Sequence, residues 1–464
     1  MDRRILAVGL IAVVAVAVVA FVFLQQKGNQ PPPPPQGKEL VVITRHDSAI
    51  QKIFTDVYLV SDYAKRYNIT SVRYLSTPVG YWRSTIEHGG VDIAWGGGPT
   101  LFNQILQLGL LQPVTGAEAL EVINTLPKSL STALMRIDDS QGRPMWVAAA
   151  ISSFGFTTNN VFLSRYNLSK PLRWADLASP SFNRDFPTIA LAKPSLSTSH
   201  TRTYTIILQA FGWDVGWSML DRIAANGRFY DGSVESQTAV ETGEVGISVS
   251  IDFYGYSSHL RDPDLDYVLP AGESIVNGDP IAVIKDTQNK EAAEAFVAFV
   301  LSVEGQTLWL NPTLNRMPVR PEVFQTPAGR ARADLYAYYN LTVAGAGFDF
   351  NETESGMLEQ SMRDFFESTL VDLHDQLAEV WSAMVTKLRA GTITQERFNQ
   401  LLAQLTAPLS WAEDNGTVRT FTKEYAMSIN SRLLTDTSFS LSMRLIWRNA
   451  ASARYAAVKT ALGA

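Results

Sequence analysis

The sequence predicts an α/β protein with an apolar N-terminal segment and an all-helical C-terminal part. Three observations lead to this fold class. From Lys38 to about residue 327, short apolar runs alternate with amphipathic segments, which is the pattern of strands and helices in βαβ units. Residues 5–24, which precede that region, are uncharged and almost wholly apolar. After Pro327 the strand-like runs stop, and apolar residues recur every three or four positions.

The N-terminal segment, residues 1–24, is predicted to be a membrane anchor. Its apolar stretch is close to the ~20 residues that a helix needs to span a bilayer. The stretch ends in Phe-Val-Phe-Leu rather than in the small residues of a cleavage site, so an uncleaved transmembrane anchor is favoured over a signal peptide. Arg3 and Arg4 place the N terminus inside. We therefore expect a single-pass protein of the cell membrane with the bulk of the chain on the extracellular side.

A Pro-rich linker, residues 25–37, follows the anchor. It contains five consecutive prolines, which form a stiff spacer and would hold a globular body away from the membrane. Five glycosylation sequons are consistent with an external location and with a glycoprotein. They begin at Asn68, Asn167, Asn340, Asn351 and Asn415.

Length, charge and composition limit the classes of function that are possible. A chain of 464 residues is too long for one ordinary core, so two or more domains are expected. The net charge of -6 argues against a nucleic-acid partner, which requires a basic face. The absence of cysteine excludes disulfides, thiolate metal sites and thiol nucleophiles.

The α/β region alternates strands and helices in order along the chain, which predicts a parallel sheet covered by helices. The predicted strands are ELVVIT, SVRYL, VDIAW, TIALA, VGISVSI, DYVLP and PIAVIK. The predicted helices are IQKIFTDVYLVSDYAKRY, WRSTIEH, LFNQILQLGLL, TRTYTIILQAFG, SVESQTAVETG and KEAAEAFVAFVLSVEGQTLWL.

The C-terminal region is predicted to be helical throughout. Apolar residues spaced three or four apart predict one long amphipathic helix over residues 357–388. A second helix, TQERFNQLLAQL, begins after a Thr394 cap, and at least one more follows it to the C terminus. We expect this region to form a bundle or a hairpin.

Three consecutive glycines, residues 96–98, lie where the strand VDIAW meets a helix. Glycine allows positive φ and close approach to the backbone, and Pro99 suits the first turn of a helix. Free N–H groups at the helix N terminus favour an anion. The stretch therefore predicts either a ligand cradle at the end of a strand or a plain tight turn.

Four segments, taken together and in order, resemble a known family. They are ELVVITRHD, VDIAWGGGPTLFNQILQLGLLQPV, LRWADLASPSFNRDFPTIALAKPS and AVETGEVGISVS. Residues 38–324 are similar to the extracellular solute-binding proteins of ABC importers, with the type 2 periplasmic binding fold. Within that group they resemble the ferric-iron-binding and sugar-phosphate-binding family.

The resemblance implies two α/β lobes joined by two crossings, near residues 152–156 and 251–254. Lobe one is expected to comprise residues 38–154 and 255–327, and lobe two residues 155–254. Residues 328–464 would form a separate helical extension. A chain ending near Phe324 is then expected to fold and to bind ligand.

The function implied is capture of a small solute in the cleft between the lobes and its delivery to the importer's permease subunits. An enzyme is not expected, and no cofactor is implied. The alternatives are a membrane-anchored surface hydrolase and an adhesion or sensor ectodomain.

Candidate ligand-binding residues lie at the expected cleft. They are His46, Asp47, Gly97, Gly98, Thr100, Ser195, Ser197, Thr198, Asp252, Tyr254 and Tyr256. If the ligand is ferric iron or an iron chelate, His46, Tyr254 and Tyr256 would be its metal ligands by resemblance. If it is an anion such as a sugar phosphate, Gly97, Gly98, Ser195 and Thr198 would supply N–H and hydroxyl donors. Both alternatives remain open at this point.

Overall fold

A computed structural model describes residues 37–131, 133–344, 347–413 and 416–463. The predicted anchor at residues 1–24, the linker up to residue 36 and the Asn415 sequon lie outside the described residues. Within those ranges, no helix is both long and apolar enough to cross a bilayer.

The β-strands form two main sheets and two short hairpins. In chain order the strands are β1 (Lys38–Thr44), β2 (Ile69–Leu75), β3 (Ile93–Trp95), β4 (Leu111–Gln112), β5 (Ser129–Leu130), β6 (Ala133–Leu134), β7 (Arg136–Asp138), β8 (Pro144–Ser152), β9 (Phe154–Asn159), β10 (Ile189–Ala192), β11 (Gly227–Tyr230), β12 (Ile247–Ile251), β13 (Leu265–Val268), β14 (Asn277–Ile284), β15 (Ser410–Ala412) and β16 (Val418–Thr420).

Helices cover the sheets and make up most of the C-terminal region. In chain order they are α1 (Ser48–Tyr58), α2 (Asp62–Arg66), α3 (Trp82–Glu87), α4 (Gly98–Gln107), α5 (Ala117–Asn124), α6 (Asn160–Arg165), α7 (Trp174–Leu177), α8 (Thr198–Phe211), α9 (Trp213–Asn226), α10 (Ser233–Glu241), α11 (Asp252–Arg261), α12 (Lys290–Leu301), α13 (Val303–Leu308), α14 (Pro327–Arg330), α15 (Ala333–Ala344), α16 (Glu352–Phe366), α17 (His374–Arg389), α18 (Gln395–Leu405), α19 (Lys423–Thr435) and α20 (Thr437–Leu462).

The larger sheet and its helices form the first lobe. Its strand order is β2-β1-β3-β14-β8-β7, with β4 paired to β14. Strand β1 runs parallel to both β2 and β3, whereas β14 is antiparallel to β3 and β8. Because parallel strands end at the same edge of a sheet, the loops after β1 and β3 lie side by side. Thr44 pairs with Trp95 at that edge.

The smaller sheet forms the second lobe, and its extent corrects one predicted boundary. Its strand order is β11-β10-β12-β9-β13. Strand β13 pairs with β9, so the chain returns to the first lobe between Val268 and Asn277, not near residues 251–254. Residues 255–268, predicted for the first lobe, belong to the second. The cause is helix α11, which begins directly after β12 and packs on β9 and β13 of the same sheet.

The C-terminal helices are part of the second lobe's core, which corrects the prediction of a separate extension. Helices α16 to α20 share one buried apolar cluster with α8 and α9. The ring of Phe366 stacks on Tyr204 of α8 at 4.2 Å between centroids. Helix α15, by contrast, buries Leu335 and Tyr339 in the first lobe. The chain therefore crosses between the lobes a third time, between α15 and α16.

The C-terminal region is not all-helical, and the predicted long helix is interrupted. Strands β15 and β16 pair as an antiparallel hairpin after Pro408, a residue that cannot continue α18 as a helix. Over residues 357–388 the structure has the end of α16, a π-helical turn at Glu367–Val371 and most of α17. Leu373, at φ −116° and ψ 19°, separates the turn from α17.

Candidate functional site

A cavity of about 450 Å³ lies between the two lobes. The first lobe lines it with the loop after β1, the turn after β3, and residues of β14. The second lobe lines it with the N-terminal ends of α8, α10 and α11. Helix N termini carry unpaired N–H groups and partial positive charge, so this arrangement favours an anionic guest.

The glycine turn after β3 holds a carboxylate of the protein itself. Gly97 and Gly98 adopt φ values of +118° and +84°, which suit glycine. Their N–H groups donate to the same oxygen, Oδ1 of Asp279, at 2.8 and 3.2 Å. The turn is therefore a backbone cradle, but it holds a carboxylate of the protein and not the ligand that one of the two interpretations predicted. The acid that it cradles comes from β14, so these two N–H groups are engaged already.

Arg316 and His46 complete the network around Asp279. Arg316 donates to Asp279 Oδ2 at 2.8 Å, and its other terminal nitrogen lies 3.2 Å from His46 Nδ1. Burial is the largest influence on the pKa of Asp279 and raises it, but the charges of Arg316 and His46 and the hydrogen bonds from Gly97 and Arg316 together lower it by more, so the net shift is downward. Burial lowers the pKa of His46 to about 4, so its imidazole is neutral at pH 7. Asp279 and Arg316 thus form a buried, charge-balanced pair.

Arg45 is a cation without a carboxylate partner in the described part of the chain. Its guanidinium donates to two backbone carbonyls, of Thr77 in the first lobe at 3.4 Å and of Leu196 in the second at 3.1 Å. The other two arginines that line the cavity pair with Asp279 and Glu352. Arg45 is half-buried, and burial lowers its pKa. An arginine in this setting can bind a phosphate or carboxylate in a bidentate manner.

Hydroxyl groups line the second-lobe wall. Ser197 caps α8, and its Oγ lies 2.6 Å from Ser233 Oγ and 3.0 Å from His200 Nδ1. Thr198 begins α8 and also lines the cavity. Helix α10 begins beside them with no side-chain cap, which leaves its first N–H groups for a guest.

The structure brings most of the predicted ligand residues to the cavity, but not all. Those that line it are His46, Asp47, Gly97, Gly98, Thr100, Ser197, Thr198 and Tyr254. Ser195, Asp252 and Tyr256 do not. The N–H of Ser195 donates instead to Glu367 of the π-helical turn at 2.9 Å.

Asp252 is fully buried and holds the first crossing between the lobes. Its Oδ2 accepts from the N–H of Ser153 at 2.5 Å and from the Ser153 hydroxyl at 3.1 Å. Burial raises the pKa of Asp252 to about 7. This residue connects the end of β12 to the link between β8 and β9, and it does not face the cleft.

Tyr254 and Tyr256 point in different directions because they lie on a helix. Helix α11 begins at Asp252, and residues two apart on a helix face different sides. Tyr254 lines the cavity, and burial raises its pKa to about 12. Tyr256 stacks on Tyr338 and donates to Asp334 Oδ2 at 2.9 Å.

Sequence reasoning missed several cavity residues. Arg45 could have been found, because it directly precedes His46 in the loop after the first strand. Arg316 and Asp279 reach the site from distant parts of the chain and leave no local pattern. Glu359 comes from α16, a helix that was assigned to a separate region.

Comparison with known proteins gives a family match over residues 91–335, to the family described as bacterial extracellular solute-binding protein. The phosphoglycerate transport regulatory protein PgtC of Salmonella typhimurium is 27% identical over 231 residues, which are 49% of this chain and 55% of that protein. The chain thus spans about half the length of the curated relatives it matches.

Solved structures share the fold at low sequence identity. The periplasmic binding protein P5PA has a TM-score of 0.58 and 20% identity, covering 72% of this chain and 100% of its own. AfuA from Actinobacillus pleuropneumoniae, solved with fructose-6-phosphate, has a TM-score of 0.54 and 18% identity, covering 66% of this chain and 99% of its own. Iron-bound HitA from Pseudomonas aeruginosa has a TM-score of 0.51 and 20% identity, covering 69% of this chain and 98% of its own.

Proposed function

The chain belongs to the family of bacterial extracellular solute-binding proteins, and from this premise we propose that it is the substrate-binding component of an ABC importer. It captures a small solute in the cleft between its lobes and presents it to the permease subunits. Membership of this family confirms the resemblance that the four sequence segments indicated.

We propose that the solute is a hydroxylated anion, such as a phosphorylated sugar or sugar acid. The observation that carries this proposal is Arg45, a cavity-lining cation whose hydrogen-bond partners among the described residues are two backbone carbonyls. The hydroxyls of Ser197, Thr198 and Ser233 and the uncapped N terminus of α10 lie on the opposite wall. Guanidinium, N–H and hydroxyl donors together suit a phosphate group.

Two relatives are consistent with this ligand class. PgtC is named for phosphoglycerate transport, and AfuA was solved with fructose-6-phosphate. HitA, which has the same fold, is iron-bound, so fold alone does not choose between the ligands.

The residues of the cleft support an anion over ferric iron. The ferric site implied by the resemblance uses both tyrosines, but Tyr256 lies outside the cavity with its hydroxyl bonded to Asp334. Tyr254 alone faces the cavity, and its raised pKa disfavours the phenolate. In the described ranges no three His, Asp or Glu side chains converge as metal ligands.

We also propose that residues 1–24 anchor the protein and that residues 25–37 space it from the membrane. The support is the uncharged apolar stretch and the five prolines in the sequence. The full-length protein is then expected in the membrane fraction with its N-terminal region intact. A mature N terminus between Gln25 and Lys38 would contradict the anchor.

Calorimetric titration of the full chain in detergent tests the ligand class. The titrants are phosphoglycerate, fructose-6-phosphate and ferric citrate. We expect one of the two phosphorylated compounds to bind. Arg45→Gln should then weaken that binding about 10- to 100-fold, the scale of a lost charge-assisted hydrogen bond of about 1.5–3 kcal/mol.

The matched control is Arg73→Gln, because Arg73 is half exposed and pairs with Glu39 away from the cavity. This variant should bind as the wild type does. Ferric binding with a visible absorption band that disappears in Tyr254→Phe would contradict the anion proposal. Binding of a phosphorylated compound that is unchanged in Arg45→Gln would contradict the role of Arg45.

A further inference from the structure

One carboxyl group in the cleft comes from outside the region that matches the family. Glu359 lies on α16, beyond residue 335, and lines the cavity between the lobes. Only 3% of the residue is exposed. Its Oε1 lies 3.8 Å from the guanidinium of Arg363. Its Oε2 has no hydrogen-bond partner in the described part of the chain.

Helix α16 is held firmly against the cleft, so the position of Glu359 is set by the fold. Arg202 of α8 donates to Glu352 at 3.0 Å and to Ser355 at 3.4 Å, both on α16. The same guanidinium lies 4.1 Å from the centroid of the Phe350 ring. One residue after α16, Glu367 accepts the N–H of Ser195 in the loop before α8. A ligand contact on such a helix is more precisely placed than one on a mobile loop.

A buried carboxyl oxygen without a partner destabilises the protein unless something supplies a hydrogen bond. The cavity is where that partner can come from, because Glu359 is one of the residues that line it. A hydroxyl group on the solute can donate to a carboxylate and can accept from a carboxylic acid. Burial raises the pKa of Glu359 to about 7, so both forms are populated near neutral pH.

We propose that Glu359 contacts the solute and determines its specificity, by hydrogen bonding a hydroxyl group of the bound anion through Oε2. The proposal rests on the proposed function and deepens it: Arg45 and the helix N termini hold the anionic group, and Glu359 recognises the hydroxylated part. The C-terminal helices therefore contribute to ligand selection, although they lie outside the region that matches the family.

The test compares Glu359→Leu with the wild type, using the full chain in detergent. Titrants are fructose-6-phosphate, phosphoglycerate and inorganic phosphate, with phosphate measured by competition. We expect the variant to lose about 10-fold or more in affinity for the hydroxylated compounds and to bind phosphate within about twofold of the wild type. Its melting temperature should be unchanged or higher, because a buried carboxyl without a partner is removed. A purely structural role would instead lower the melting temperature and weaken all three compounds together.

Two further variants keep the test decisive. Glu359→Ala removes the carboxyl without placing new atoms in the cavity, and it replaces Glu359→Leu if that variant does not fold. Glu359→Gln keeps a hydrogen-bonding group and should retain most of the affinity. Glu354→Leu is the matched control, because Glu354 lies on the same helix and pairs with Lys423 at 3.0 Å, outside the cavity.

The outcomes separate this inference from its premise. Wild-type affinity for a hydroxylated anion that persists in Glu359→Leu and Glu359→Ala would overturn the role of Glu359 alone. Failure of the wild type to bind any of the three anions would overturn the proposed ligand class, and the role of Glu359 with it.

Discussion

Asp279 decides what the turn after β3 can bind. The glycines and the start of α4 were correctly predicted from the sequence, because positive φ and a proline in the first turn have local signatures. The carboxylate that fills the cradle was not, because Asp279 comes from a strand far along the chain. The same applies to Arg316, which neutralises it. The sequence therefore predicts the local conformation of this turn, but not the residues that reach it from distant parts of the chain.

Asp252 gives a pH-dependent prediction at the scale of one residue. Burial raises its pKa from 3.8 to about 7, so between these values the folded state keeps a proton that the unfolded state releases. Rising pH should therefore lower the unfolding free energy of the wild type, relative to that of Asp252→Asn, by up to about 1.4 kcal/mol per pH unit. Urea unfolding of both proteins at pH 5, 6 and 7 measures the difference. The buried histidines contribute equally to the pH dependence of both proteins, so their contribution cancels in the difference.

An exposed aspartate supplies the control for that experiment. Asp62→Asn, at a side chain that is 91% exposed, should leave the pH dependence as it is in the wild type. A stability difference between wild type and Asp252→Asn that stays constant from pH 5 to pH 7 would contradict the prediction.

At the scale of elements, the parallel pairing of β1 with β2 and β3 was predicted correctly. The antiparallel pairing of β13 with β9 and of β14 with β3 contradicts the predicted parallel sheet, and helix α11 was not predicted. Strands β1 and β3 have continuous apolar sequences, and their common edge follows from the alternation of strands and helices. The segment Asp252–Arg261 contains two tyrosines and a glycine, a composition that does not favour a helix. Tertiary packing on β13 overrides that propensity, and it separates Tyr254 from Tyr256.

The turn between β3 and α4 gives a prediction for an element. Gly97→Ala places a Cβ 2.9 Å from Leu101 Cδ2 and 3.2 Å from Arg45 Cγ, at a φ of +118°. We expect the variant to lose about 1–3 kcal/mol of unfolding free energy and to bind anions more weakly, because Arg45 is displaced. Thermal melting and titration measure the two effects. Gly80→Ala, where an added Cβ meets nothing within 4 Å, is the control, and equal melting of the two variants would argue against strain at the turn.

At the scale of the whole molecule, the C-terminal helices were predicted as helices but not as part of the second lobe. Their apolar faces have a clear helical period, but a period does not tell which neighbour covers the face. The neighbour is the outer side of α8 and α9. The backbone carbonyl of Leu434 in α19 also accepts from Arg83 in the first lobe at 3.2 Å, so these helices contact both lobes.

Truncation after Phe324 is the corresponding prediction. The sequence interpretation expected this shortened chain to fold, whereas the shared core predicts that it does not. Removal of residues 325–464 exposes the apolar face of α8 and α9, so we expect aggregation and loss of a cooperative melting transition. Size-exclusion chromatography and calorimetry measure both. Removal of residues 463–464 alone should change neither, and a monomeric, cooperatively melting truncated chain would restore the boundary near residue 324.

The third crossing between the lobes affects how long a captured solute stays. At the crossings, Phe350 packs in one buried cluster with Phe154, Ile251 and Ile275. Two connections allow the lobes to rotate about a single hinge. The third connection packs on that hinge, so its aromatic contacts must shift whenever the lobes separate. Separation of the lobes therefore has a higher energy barrier, which slows release of the solute as well as its entry. We expect the C-terminal helices to lengthen the residence time of the proposed solute in the cleft.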